Sequence, residues 1–143
     1  MIGKWVVRFI FAGIAIFGVF QLIPRGNILH NPPVLQEPVW DSPETRTLVQ
    51  RACFDCHSNE TNWPWYSKIQ PVAMMLGKDI VNGRTVLNFS EWSEKNLLTV
   101  EYIEHVIRSD KMPLQQYLLL HPEARLTLAE KEQLIDGLKN SLN

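Results

Sequence analysis

Cysteine is nearly absent from this chain: two residues, Cys53 and Cys56, among 143. A zinc centre wants a second pair of ligands at similar spacing, and no other cysteine exists to supply it. Charge of either sign is lacking in excess, since 14 Lys and Arg face 15 Asp and Glu for a net of −1. No basic patch interleaved with stacking aromatics occurs, which excludes a nucleic-acid partner. Lys4, Arg8 and Arg25 are three of the basic residues, so the portion from Gly26 onward carries 11 basic against 15 acidic residues, a net of −4. Such a surplus implies a soluble domain and little more. There is no internal repeat, no low-complexity segment, and no alternating run long enough to argue for a sheet. The length accommodates one domain with little left over.

What is present begins with a long apolar run. "WVVRFIFAGIAIFGVFQLI", Trp5 to Ile23, is interrupted only by Arg8 and Gln21, and about 20 mainly apolar residues suffice to span a bilayer. Lys4 and Arg8 precede its most apolar part and predict a cytoplasmic N-terminus with everything after Ile23 outside, a reading that Arg25 opposes. The run ends in "GVFQLIPRG", without the small-residue pattern of a cleavage site, so residues 1–23 read as a retained anchor. Pro24, Pro32, Pro33 and Pro38 then make residues 24–42 an extended tether, roughly 60 Å long if wholly polyproline-like. Its apolar Ile28, Leu29, Val34, Leu35, Val39 and Trp40 predict that much of it lies along the domain surface, and His30 reads as solvated.

Residues 43–143 read as an all-α domain. Ser42-Pro43-Glu44 is a helix start, carrying Leu48, Val49 and Ala52 toward the cysteines. A second helix follows Pro71, with Val72, Met75, Leu76 and Ile80 on one face and an end near Asn82-Gly83. A third begins at Thr99 with Val100, Ile103, Val106 and Ile107 at helical spacing. "TLAE" is a capping box from Thr127 to Glu130, backed by a stripe of Leu128, Leu134, Ile135, Leu138 and Leu142.

Cys53, Cys56 and His57 form C-x-x-C-H, the attachment pattern of c-type haem. Within one turn of chain two thiols reach the two vinyl groups of one porphyrin, and the next residue sets its imidazole on the iron. A thioredoxin-like pair has no use for His57 and wants a strand before it. A disulfide across two intervening residues is strained and leaves the histidine unexplained. Haem is the favoured ligand.

"CFDCHSNETNWPWYSKIQPV", "NGRTVLNFSEW" and "KMPLQQYLLLHPEARLTLAE" resemble the bacterial haem-binding domain family of small, single-haem, cytochrome c-like proteins. The resemblance covers about Asn31 to the C-terminus. It implies a periplasmic c-type haem domain on a mainly helical, cytochrome c-like fold, but no single physiological role or partner.

The sixth iron ligand must come from Met74, Met75, Met112, His105 or His121. Met74 and Met75 fall in the second helix and read as core. His105 shares a face with Glu101 and Arg108 and reads as solvated; His121 precedes Pro122 in a turn, where it can cap or hydrogen-bond the last helix. Met112 lies between Lys111 and Pro113 just past a helix, 55 residues after His57, with room for the chain to pass from one haem face to the other. The resemblance points to the same "MP". Met112 is favoured, with His121 and then His105 as alternatives. The acceptor for the other ring nitrogen of His57 is expected at Pro71, because "IQP" resembles the corresponding segment of cytochromes c, with Pro64 as the alternative. Trp63, Trp65 and Tyr66 are expected as pocket walls or ordinary core. Arg84 is expected to pair a haem propionate or to be a surface arginine.

Two functions from different classes follow. One is a membrane-anchored monohaem c-type cytochrome, not an enzyme and without catalytic residues, transferring single electrons on the periplasmic side of the inner membrane. Its partners are redox proteins of a respiratory or photosynthetic chain, or a larger membrane complex in which it is a subunit. The other is a gas sensor or peroxidase-like haem protein, which needs an open sixth site and distal acid–base groups. No output domain follows the haem domain, and electron transfer is favoured. About 100 residues make a small core, so the domain is expected to fold poorly without its haem.

Overall fold

The computed structural model describes residues 2–24, 29–92 and 98–142. Arg25 and Ile28 lie outside the described residues. The regular elements are all helices, and among the described residues the only sheet-like feature is an isolated parallel bridge between Gln36 and Glu91. The all-helical expectation therefore holds. The helices are α1 (Ile2–Gln21), α2 (Pro43–Ala52), α3 (Phe54–His57), α4 (Val72–Val86), α5 (Val100–Arg108), α6 (Gln115–Leu118) and α7 (Leu128–Leu142), with 3-10 turns at Trp65–Lys68 and Pro122–Ala124.

The chain divides into two compact units. One comprises Met1–His30 and Trp63–Asp79, the other Asn31–Asn62 and Ile80–Asn143. In the first unit α1 is long and apolar enough to cross a membrane, with a mean hydropathy of 1.7 over Gly3–Gln21. Its side chains have no core to enter: Phe9, Phe11 and Val19 are all exposed. Near Gln21 the helix is tied to the segment before α4. Gln21 Nε2 donates to Gln70 O at 2.9 Å and Gln70 N donates to Gln21 Oε1 at 3.1 Å.

The second unit holds the core. Leu48, Val49 and Ala52 of α2 pack with Phe54, Leu87, Phe89, Ile103 and Ile107, and with Leu134, Ile135 and Leu138 of α7. Capping sets where these helices begin. Ser42 Oγ accepts from Thr45 N at 3.1 Å, and Thr99 Oγ1 accepts from Tyr102 N at 3.3 Å. Thr127 and Glu130 exchange both bonds of a capping box, at 2.8 and 3.2 Å. Helices α2 and α7 cross at Gly137, where a Cβ would fall 2.1 Å from Thr45 Oγ1; only glycine admits so close an approach. Residues 31–40 run along this unit: Leu35 N and Gln36 N donate to Ser90 O, and Trp92 N donates to Gln36 O. Trp40 packs on Phe89 with ring centroids 5.6 Å apart.

Three expectations are corrected. Helix α4 continues past Gly83 to Val86, because Gly83 is buried in a helix packing contact and is not a C-terminal cap. Met74 and Met75 are 51% and 64% exposed, so neither fills a core; α4 buries Ala73 and Ile80 instead. Leu128 is 81% exposed, standing at the first position of α7 ahead of the buried stripe.

Candidate functional site

Helix α2 ends where the two cysteines begin. Cys53 N closes the last turn of α2 on Val49 O at 2.8 Å, and Cys53 O accepts from Cys56 N and His57 N at 3.2 and 2.9 Å. One tight turn, α3, thus fixes the backbone of the whole C-x-x-C-H segment. The imidazole of His57 is fixed from α4: Nδ1 lies 3.1 Å from both Gly83 O and Leu87 O. Two carbonyls can only accept, so Nδ1 carries the proton and Nε2 keeps its lone pair. Burial pushes the His57 pKa below its ordinary value, against the opposing pull of those carbonyls. The ring is a neutral imidazole, the form that binds a metal. Burial, and secondarily the neighbouring Cys56, pushes the Cys53 thiol up to about 12.

Asp55, between the cysteines, is the anchor of this turn. Its Oδ2 accepts from Tyr117 Oη at 2.7 Å and its Oδ1 from Asn62 N at 2.8 Å. Burial first, and then the Asp55 hydrogen bond, hold the Tyr117 phenol protonated above its usual range. The Tyr117 ring stacks on His121 at 4.2 Å. Below the turn, Phe89 N donates to His57 O at 2.8 Å.

Cys53 and His57 open onto a cavity of about 360 Å³ within the second unit, walled by apolar side chains that include Leu87, Ile103, Ile107 and Leu134. Met112 lies on the same cavity. It is brought there by the end of α5, where Val106 O accepts from both Lys111 N and Met112 N and Asp110 takes a left-handed φ of 55°. The volume lies within the usual range of cofactor sites, about 300–1,000 Å³. Among the described residues no group of three or more His, Cys, Asp or Glu is placed to hold a bare metal ion. The donor set suits a metal that brings its own macrocycle and asks the protein only for axial ligands.

The sequence model of the Haem-binding domain family matches residues 15–140. The chain belongs to that family. No curated protein and no solved structure matches the chain.

As a haem-binding domain, the second unit has residues that fit the group: a neutral His57 with Nε2 available, Cys53 on the cavity wall, and Met112 on the same cavity. Cys56 sits one turn along, its carbonyl pressed against Gly83. Of the other expected residues, Pro71 is corrected. The acceptors for His57 Nδ1 are Gly83 and Leu87, while Pro71 O accepts from Met74 N and Met75 N at the start of α4 and Pro64 O accepts from Ser67 N. Gly83, in the last turn of α4, and Leu87, just past its end, present their carbonyls to the imidazole. Trp63, Trp65 and Tyr66 belong to the first unit, whereas every residue lining the cavity belongs to the second; Trp65 is 75% exposed. Arg84 directs Nε to Ser58 O at 2.7 Å and Nη2 to Thr61 Oγ1 at 2.9 Å and Asn31 Oδ1 at 3.1 Å. In this structure it braces the chain that follows the histidine. His105 is exposed on α5, and His121 Nδ1 lies 3.0 Å from Glu123 Oε1.

Sequence reasoning missed the Gly83 and Leu87 carbonyls, the Asp55–Tyr117 bond, and most of the apolar wall. The wall was within reach, since Ile103 and Ile107 of α5 carry helical periodicity and end at Met112. The carbonyl acceptors were not, because backbone oxygens leave no mark on side-chain pattern.

Proposed function

We propose that this haem-binding domain is a monohaem c-type cytochrome, held to the membrane by α1, that passes single electrons on the periplasmic side. It would serve as a carrier in, or a subunit of, a respiratory or photosynthetic chain. In this reading Cys53 and Cys56 would hold the haem through two thioethers, and His57 Nε2 and Met112 Sδ would ligate its iron. Lys4 and Arg8 keep the N-terminus in the cytoplasm. The observation that carries the reading is that His57 and Met112 line one apolar cavity, with the imidazole locked through Nδ1 by two carbonyls.

When bound, the haem supplies an iron centre that gains and loses one electron. The work of the chain is to hold and orient. Gly83 and Leu87 keep the imidazole from turning, so its Nε2 stays directed at one point in both oxidation states. The thioether of Met112 is a soft ligand that favours the reduced state and raises the potential. The leucine and isoleucine walls give the cavity an apolar lining, and nothing in this arrangement requires a proton to move. No residue acts as a catalytic acid, base or nucleophile. Docking partners are other redox proteins.

The test is the optical spectrum of the haem-loaded protein beside Met112→Ala, ferric and ferrous. The wild type is expected to show the weak far-red band of sulfur-to-ferric-iron ligation and to resist carbon monoxide when reduced. The variant is expected to lose the band and bind the gas. A wild type without the band that binds carbon monoxide readily has an open sixth site, and the sensor or peroxidase-like reading replaces this one. Low-spin spectra that lack the band and still resist the gas assign the ligand to His121 or His105.

A further inference from the structure

The first unit contains more apolar surface than its helix α1. Trp65 is 75% exposed, and the first turn of α4 adds Val72, Met74 and Met75 at 39%, 51% and 64%. Exposed Lys68 and Lys78 flank them. Exposed apolar side chains concentrated in this way point to an interaction site, and the residues are not left over from a poor core, since the same helix buries Ala73 and Ile80 almost completely.

Its place in the unit says what covers it. Helix α1 has 20 residues, a length of about 30 Å, which equals the hydrocarbon thickness of a bilayer. With α1 spanning the bilayer as proposed above, its end at Gln21 would fall where hydrocarbon gives way to headgroups. The reciprocal bonds of Gln21 with the Gln70 backbone put Gln70 at the same level, and a third bond from Gln70 Nε2 to Ile23 O at 3.5 Å extends the tie. Gln70 itself is 1% exposed. Trp65 lies five residues before this point and Met75 five after it. Tryptophan with an apolar body and a polar N–H is the side chain that prefers the interface, and lysines there direct their charge outward while their stems stay apolar.

We infer that Trp65–Met75 is a second membrane contact, seated in the headgroup region of the bilayer that α1 spans. This rests on the membrane-anchored reading above and adds to it. The anchor fixes only the point of attachment, whereas a seated Trp65–Met75 segment also removes the freedom of the first unit to tilt and turn about that point.

The test uses the full-length, haem-loaded chain in vesicles of phosphatidylethanolamine and phosphatidylglycerol. A nitroxide is attached at Met75→Cys, Trp65→Cys, Ile14→Cys in α1, or Gln133→Cys on the exposed side of α7, each variant first shown to keep the haem spectrum. Accessibility is read as the change that oxygen and an aqueous nickel chelate each make relative to nitrogen. The expected result is that the labels at 65 and 75 are several-fold more accessible to oxygen and less to nickel than the label at 133, and shallower than the label at 14. Labels at 65 and 75 as open to nickel as that at 133, with 14 still lipid-buried, overturn the second contact and leave the anchor standing. A label at 14 open to nickel overturns the anchor and the contact together. Protection at 65 and 75 that disappears when the protein is diluted into excess lipid assigns the surface to a second copy of the chain, and overturns the lipid proposal.

Discussion

Gly83 faces Cys56 so closely that a Cβ built on it would lie 2.4 Å from the Cys56 carbonyl oxygen. The same glycine offers its own carbonyl to His57 Nδ1 at 3.1 Å. One residue of α4 therefore sets both how near the helix comes to the cysteine turn and how the His57 imidazole is held. Gly83→Ala drives the added Cβ into the Cys56 backbone, which cannot yield as a flexible side chain would. The expected cost is about 1–3 kcal/mol, read by denaturant unfolding of the haem-loaded protein, together with a shifted reduction potential. Unchanged stability and potential would mean that the contact is looser than the structure has it.

Tyr117→Phe removes the hydroxyl that Asp55 Oδ2 accepts at 2.7 Å. The pair is only half-buried, so the expected loss is about 1.5–2 kcal/mol, the lower part of the range for hydrogen bonds to charged groups. Asp55→Asn keeps an acceptor and is expected to lose less. The double variant Tyr117→Phe/Asp55→Ala, compared in unfolding experiments with its two single variants, each of which removes the bond, measures the coupling; strict additivity would show that the bond contributes nothing.

In the attachment proposed above, Cys53→Ser and Cys56→Ser would each remove one thioether, and together both. Acid–acetone extraction should leave the haem on the wild-type chain and on each single variant, and release it from the double variant. The pyridine haemochrome band is expected to move stepwise with each thioether lost. Haem extracted freely from the wild type would refute covalent attachment.

Stability should fall in acid partly through Glu37. Its carboxyl accepts from Arg46 Nε and Nη2 at 2.8 and 2.7 Å and from Trp40 Nε1 at 2.6 Å. The Arg46 hydrogen bonds above all hold its pKa below the ordinary 4.5, against the smaller opposing effect of burial. A depressed carboxylate stabilises fully above its unfolded value, and the contribution is lost as pH falls through the lower folded value. Melting temperatures between about pH 6 and about pH 3 should drop less steeply for Glu37→Gln than for the wild type. Parallel curves would show that the pair carries no pH dependence.

Most of what could be read directly was local in the chain. The starts of α2, α5 and α7 follow from Ser42, Thr99 and the Thr127–Glu130 pair because a cap acts within three residues of itself. The membrane-length helix follows from its composition, and the two thiols and imidazole of the C-x-x-C-H turn from a spacing of three and four residues. These depend on no distant partner, so sequence alone determined them. The acceptor for His57 is a different matter: a proline 14 residues on was expected, and the carbonyls of Gly83 and Leu87, 26 and 30 residues on, hold the ring. Met75 carries the apolar character of a core residue and stands exposed, because which side of α4 is buried was decided by what packs against it. The cavity, the approach of Gly83 to Cys56 and the crossing of α2 and α7 at Gly137 arise only when segments remote in the chain are brought together. Tertiary packing decided them, since contact distance between backbones is a property of the assembled helices and not of any one of them.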